Sequence, residues 1–205
     1  DAGSIITKVP RSIAGNNSNL WMSQIVTESS LVNHITNLHP HIIRFPGGSI
    51  SDVFFWNAPK NEPPADAPAQ LIKADGTKEN AGFWFGKNTE SWTFSVDNYY
   101  QLLQQTGNTG MITINYAYAR YSTAANPVAA AAHLAADWVR YDNGRTKYWE
   151  IGNENFGDWE AGYRIDPTLN KDGQPEFASG ELYGQHFKIF ADSMRKAAQE
   201  TGRTI

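Results

Sequence analysis

The stretch KYWEIGNENFGDW, residues 147–159, gathers Trp149, Glu150, Asn153, Glu154, Asn155 and Trp159 within one short span. Carboxylates set among aromatic rings can do acid–base chemistry. A carboxylic acid in apolar surroundings keeps its proton near neutral pH and can hand it to a leaving group, while a second carboxylate attacks or activates water. Trp149, Phe156 and Trp159 are available as those surroundings for Glu154. Glu150 is a poor partner for it, because four residues along an extended strand span about 13 Å. A second carboxylate must therefore come from elsewhere.

The elements that must position these residues follow from period and punctuation. Leu31, Ile35 and Leu38 recur at helical spacing over 28–38, and Pro40 ends that pattern. HIIRFPGG, 41–48, reads as a buried strand running into a loop at Pro46, Gly47 and Gly48. Residues 57–93, with Pro59, Pro63, Pro64, Pro68 and the aromatic run GFWFGKNTESW, read as one long irregular loop. A helix is predicted from the N-cap Ser95 to Gly107, and a strand over MITINYAYARYS, 111–122. Asn126 and Pro127 open a helix with Val128, Ala131, Ala135, Trp138 and Val139 on one stripe, closed by Gly144. KYWEIGN is the next strand, and a polar loop spans about 155–178. A long helix carries Tyr183, Phe187, Phe190, Met194 and Ala197 on one face and stops at Gly202. Arg203, Thr204 and Ile205 look like the start of another strand.

The order is β-α-β-(long loop)-α-β-α-β-α. Such alternation, with largely apolar strands, implies an α/β fold with parallel strands covered by helices. In a (β/α)8 barrel of the TIM type, active residues sit just beyond the C-terminal strand ends. The polar clusters Arg44–Ser51, Asn115–Tyr121 and Asn153–Asp158 all fall there.

A formal charge of −4 without a block of like charge gives no footprint for nucleic acid or an anionic membrane. No apolar run approaches the roughly 20 residues that span a bilayer, and DAGSIITKVP lacks a signal core, so Asp1 is compatible with a processing boundary. The absence of cysteine excludes disulfides and thiolate chemistry. The aromatic share, 13% with 7 Trp and 9 Tyr, fills a core or supplies flat rings for stacking on sugars. In the second case the composition resembles secreted or periplasmic bacterial carbohydrate-active proteins.

WEIGNE at 149–154, together with RFPGG at 44–48, resembles the retaining glycoside hydrolases of clan A, and most nearly the α-L-arabinofuranosidases of family 51 and their neighbours. Strand order, loop positions and both motifs share in the likeness. The resemblance implies a (β/α)8 barrel whose fourth strand ends in Asn-Glu. Glu154 is then the general acid/base, Asn153 bonds the sugar hydroxyl beside the anomeric carbon, and Arg44 lies near the nucleophile. Retaining cleavage needs two carboxyl groups about 5 to 5.5 Å apart, one acid and one nucleophile. In the family the nucleophile is a Glu at the end of the seventh strand, and residues 1–205 cover only about the first four β/α units.

The expectation is therefore an N-terminal half-barrel, inactive alone, exposing two unpaired edges and an apolar inner face. The missing C-terminal half or a second copy would be its partner, with an oligo- or polysaccharide of plant or algal type as substrate and no cofactor. A non-catalytic carbohydrate-binding or self-assembling half-barrel is the alternative. Family 51 arabinofuranosidases generally carry Asn after PGG, where Ser49 stands here, which loosens the sugar assignment.

Further candidates for the substrate cleft are Trp56 after the second strand and Asn115, Tyr116 and Tyr118 after the third, although alternation turns about half of the latter away. Trp84, Trp92 and Trp159 either stack on substrate or pack their own loops. Asn170, Asp172 and Gly173 match part of a calcium-loop pattern, but the closing Glu176 is misplaced, so a solvated acidic loop is expected. The five His show no paired ligand spacing, and no metal is expected. Asn16-Asn17-Ser18 forms a glycosylation sequon, read here as part of the barrel mouth.

Overall fold

A computed structural model describes residues 3, 4 and 6–205. Asp1, Ala2 and Ile5 lie outside the described residues. In chain order the elements are β1 (Gly15–Asn17), α1 (Ser29–Leu38), β2 (Ile42–Phe45), β3 (Phe54–Phe55), β4 (Gln70–Ile72), β5 (Lys78–Asn80) and β6 (Trp84–Phe85), then α2 (Val96–Thr106), β7 (Thr109–Ile114), α3 (Tyr118–Tyr121), α4 (Pro127–Asp142), β8 (Tyr148–Ile151) and α5 (Gly180–Glu200). The central sheet has the order β1-β2-β7-β8 and every pair in it is parallel.

Local chemistry explains the helix boundaries. Ser95, Asn126 and Ser179 each accept a hydrogen bond from a backbone N–H in the first turn of α2, α4 and α5. Gly107 ends α2 in the left-handed region, and α4 stops at Asp142 with Asn143 in that conformation, one residue ahead of the expected Gly144. The small side chains Ala131, Ala132, Ala135 and Ala136 of α4 and Ala197 and Ala198 of α5 are all buried where the two helices pack.

One sheet face holds the core. Phe45 stacks on Tyr99 at 4.6 Å between ring centroids and meets Phe54 and Phe94 edge-on. Trp138, buried, joins the same aromatic cluster, and the Tyr99 hydroxyl donates to the carbonyl of Ile43. Strand alternation then turns Arg44, Thr113 and Glu150 to the opposite face. Toward the strand C-termini that face carries hydrogen-bonded polar groups, and toward the N-termini it carries the partly exposed Ile42, Met111 and Tyr148.

Three expectations are corrected. Residues 57–93 are not one irregular loop: β4 and β5 form an antiparallel hairpin around Asp75-Gly76, and β6 pairs in parallel with β3. The Asp-Gly dipeptide between two extended runs was the signal for it. The strand after α2 ends at Ile114, because the Asn115 side chain accepts from the Tyr118 N–H and starts the helical turn α3. Helix α1 stands where the 28–38 spacing predicts it, although Leu31 and Leu38 are exposed and no residue of the helix is buried. Residues 203–205 form no strand.

Gly86 joins the two parts of the β2–α2 connection. Its N–H donates to Phe55 and its carbonyl accepts from Val96, and a Cβ there would lie 2.0 Å from the Trp56 carbonyl oxygen. Because the obstacle is backbone, Gly86→Ala is expected to cost about 1–3 kcal/mol. Urea unfolding measures this, and an unchanged midpoint would contradict the packing described.

Candidate active site

Three strands and two loops build one polar cluster. Arg44, on β2, donates from Nε to Glu150 Oε2 at 2.6 Å and from Nη2 to Asn153 Oδ1 at 3.0 Å. Thr113, on β7, donates to the same Glu150 oxygen at 2.8 Å. Arg44 is aligned with Met111 in the sheet register, whereas Glu150 is aligned with Thr113. The long guanidinium arm spans that stagger, and its two donors serve two acceptors at once.

Beyond Phe45 the chain turns sharply through a cis Phe45–Pro46 bond and through Gly47 and Gly48, both at positive φ. A Cβ on Gly47 would meet Arg44 Nη1 at 3.1 Å and Asn17 Oδ1 at 3.2 Å, so glycine lets the loop close onto the cluster. The loop continues as a 3₁₀ turn, Gly48–Val53. There the Ser49 hydroxyl donates to Glu160 Oε1 at 2.8 Å, and the Asn153 side-chain amide donates to that oxygen at 2.9 Å. Asn153 is thus gripped at both ends of its amide, by Arg44 and by Glu160. Its amide has one N–H and one oxygen lone pair beyond these bonds.

Glu154 follows at φ 42°, a left-handed conformation uncommon for a side chain of this size. Its carbonyl accepts from the Gly157 N–H, and its exposed carboxylate accepts from Trp159 Nε1 at 3.2 Å. Glu154 lines a cleft of about 530 Å³ with Glu150, Phe156, Tyr163, Tyr183 and the start of α5. Trp159 lines a second cleft, of about 570 Å³, between the β4–β5 hairpin and Ser49. The Glu154–Trp159 pair therefore joins two clefts.

The extended rise behind the figure of about 13 Å does not run the whole way from Glu150 to Glu154, because the strand ends at Ile151 and Gly152 turns the chain at φ 80°. Both residues line the same cleft, and the Glu150 carboxylate is held by Arg44 and Thr113. Nor is an apolar shell closed around Glu154. Phe156 and Trp159 are 78% and 64% exposed, and Trp149 packs edge-on against Trp138 on the helical side.

Arg44, Ser49, Asn153, Glu154 and Trp159 are thus brought together, whereas three other candidates are not. Trp56 is buried, stacked on Trp138, and donates its Nε1 to the Leu134 carbonyl. Tyr116 is buried against Phe190, and its hydroxyl bonds His186 Nδ1. Asn115 spends its amide on the Phe54 carbonyl, the Tyr121 hydroxyl and the Tyr118 N–H. Asn115 and Tyr116 serve packing because the strand before them ends sooner than the tyrosine alternation suggests, and Trp56 because α4 covers it. Tyr118, too, is buried and donates to Asp66.

Three contributors were missed from sequence: Thr113, Glu160 and Asp52. Glu160 is buried just after Trp159, and Asp52 is fully buried just after Ser51. Burial, reinforced by neighbouring Glu160, pushes the Asp52 carboxyl well above the ordinary carboxylate range. Both adjoin motifs already singled out, but nothing in the linear order shows that they meet.

Among the described residues no three His, Asp or Glu side chains gather as a metal-ligand set. In the acidic loop, Asp166 pairs with Lys78, and Glu176 with Arg164. The Lys78 and Thr168 bonds hold the Asp166 carboxyl down to about 2. No described helix is long and apolar enough to cross a membrane.

Parallel strands covered by helices define an α/β fold, and Arg44, Glu150 and Asn153 meet toward the C-terminal ends of its strands. No family model matches the sequence, and no curated protein matches it. Solved structures of similar fold do exist. One arabinofuranosidase crystal structure shares 15% identity over 98% of this chain and 40% of its own, with a TM-score of 0.50. The GH51 arabinofuranosidase from Xanthomonas axonopodis pv. citri shares 16% over 92% and 38%, with a TM-score of 0.48. The α-L-arabinofuranosidase from Thermotoga maritima, solved with arabinose, shares 17% over 82% and 31%, with a TM-score of 0.47. At such identity the likeness concerns the fold, and this chain spans 31 to 40% of the length of these proteins.

Proposed function

We propose that residues 1–205 form the first four β/α units of a (β/α)8 barrel and carry the acid/base half of a retaining glycoside hydrolase site. The observation that carries this reading is Glu154 itself. It stands on a left-handed turn at the C-terminal end of β8, open to the cleft, beside an Asn153 locked by Arg44 and Glu160. The edges β1 and β8 lack strand partners in the sheet described, and further strands pairing there would close the barrel.

In the first step Glu154 protonates the glycosidic oxygen while a carboxylate from outside these 205 residues attacks the anomeric carbon. In the second Glu154 takes a proton from the water that releases the sugar. Trp159 Nε1 fixes the orientation of the Glu154 carboxylate, and its exposed ring offers a stacking face to a neighbouring sugar. The free N–H and lone pair of Asn153 suit a sugar hydroxyl. Ser49 is committed to Glu160 and acts through it.

Two measurements test this. Hydrolysis of an aryl α-L-arabinofuranoside is expected to be absent for the 205-residue chain and present once the rest of the barrel is supplied. Sustained turnover by the chain alone, lost in Glu154→Gln, would overturn the division of the site. The exposure of Glu154, Phe156 and Trp159 favours, as a second reading, carbohydrate binding without cleavage. Calorimetric binding of oligosaccharide with no turnover in the completed barrel would select it.

A further inference from the structure

Behind Asn153 lies a buried pair of acids that the chemistry above does not use. Asp52, 0% exposed, lies in the 3₁₀ turn after β2, and Glu160, 5% exposed, in the loop after β8. Glu160 Oε1 is occupied by Ser49 and Asn153. Glu160 Oε2 and both Asp52 oxygens are buried and receive no well-formed hydrogen bond from any described group. The two acids lie on loops in direct contact, because Ser49 of the turn that carries Asp52 donates to Glu160, and Glu160 adds to burial in disfavouring ionisation of Asp52. Two ionised carboxylates out of contact with water, side by side with unfilled acceptors, is an arrangement folding would not tolerate. One proton between them turns one acceptor into a donor and satisfies both.

We propose that Asp52 and Glu160 share a single proton and form a clamp that ties the loop after β2 to the loop bearing Glu154, positioning the side chain of Asn153. The proposal rests on the glycosidase reading only for what the clamp positions. The groups facing Asp52 are few. Glu160 and the Asn153 N–H approach from the loop after β8, and Arg44 from β2. From α3, Tyr121 donates its hydroxyl to the Asp52 carbonyl. Arg44 favours ionisation of Asp52, but burial and Glu160 oppose it more strongly. Asn153 feels the state of the pair directly, because its amide donates to the Glu160 oxygen on the same carboxyl.

The sign of the pH dependence follows. A carboxyl that holds its proton more tightly when folded takes one up on folding, so its stabilisation is complete below the unfolded value, about 3.9. It is lost progressively as pH rises toward the folded value. In that window the folding equilibrium constant of the wild-type chain falls about tenfold per pH unit from this group. Asp52→Asn removes the proton and keeps a donor toward Glu160.

Three readouts on the intact 205-residue chain test the clamp. Infrared spectra are expected to show a protonated-carboxyl band at neutral pH that moves on ¹³C-aspartate labelling and is missing in Asp52→Asn. Urea unfolding at stepped pH should show the loss of stability with rising pH in wild type and a flatter profile in Asp52→Asn. The Asn153 side-chain NH₂ resonance should shift through the same transition in wild type alone. An infrared spectrum without that band, or pH profiles that coincide, overturns the proposal. So does a stabilisation by calcium or magnesium that Asp52→Asn abolishes, which would put a cation between the carboxyls. If Asp52→Asn does not fold, the wild-type infrared spectrum decides alone. None of these readouts needs turnover. Absence of glycosidase activity leaves the shared proton standing, and turnover without a protonated carboxyl removes the clamp while leaving the function.

Discussion

Glu154→Gln is expected to lower hydrolysis of an unactivated glycoside by about 10² to 10⁴-fold in the completed barrel, with the fold unchanged. Gln can still accept from Trp159 Nε1, so residue 154 keeps its hydrogen bond to the cleft wall. What it loses is the transferable proton. The size of the effect should depend on the leaving group. A nitrophenolate departs without protonation, so with that substrate the first step is largely spared and release of the sugar from the nucleophile becomes limiting. A small anion such as azide, which needs no general base, should then restore turnover. Equal losses on activated and unactivated substrates, without azide rescue, would show that Glu154 is not the acid/base.

The largest expected loss of stability lies outside the cluster. Arg120→Ala should cost about 3 kcal/mol or more. Arg120 is 1% exposed on α3 and donates to the carbonyls of Gly162, Pro175 and Glu176 and to Gln174 Oε1. Burial draws its affinity for the proton down, opposed by Tyr116 and Asp172, yet an arginine starts so high that it stays charged. Its removal takes the donors from the Gly162 and Pro175 carbonyls, while Glu176 keeps the Ile165 N–H, and leaves a cavity where the guanidinium lay. The loop it anchors ends at Ala178 and Ser179, which line the Glu154 cleft with Tyr163. Oligosaccharide binding should therefore weaken along with stability. Arg120→Lys should recover only part, because an ammonium cannot reach four acceptors in one plane. Urea unfolding measures the loss, and a cost below about 1 kcal/mol would contradict the anchoring role.

Much of the scaffold was legible because it depends on neighbours in sequence. Ser95, Asn126-Pro127 and Gly107 mark helix ends through bonds made within a few residues. WEIGNE marks a strand end because Gly152 and Asn153 cannot continue the apolar run. The errors share a physical origin in side chains whose partners lie far along the chain. Trp56 looks like a stacking ring until Leu134 and Trp138 claim it from 78 and 82 residues away. Tyr116 is held by His186. The tyrosine alternation after Ile114 suggests a strand, whereas one Asn115 hydrogen bond makes a helical turn of it.

By itself, the sequence determined an alternating order of strands and helices, parallel strands with polar clusters at their C-terminal ends, and Glu154 beside Asn153 at one of them. Periodicity and capping are written locally. Only the tertiary structure decided that Arg44 reaches across two strands to Glu150 and Asn153, and that Ser49 and Glu160 close the other side of that amide. It also decided that Asp52 is buried against Glu160. Those contacts join residues up to 111 positions apart, and their strength comes from exclusion of water, which no local pattern encodes.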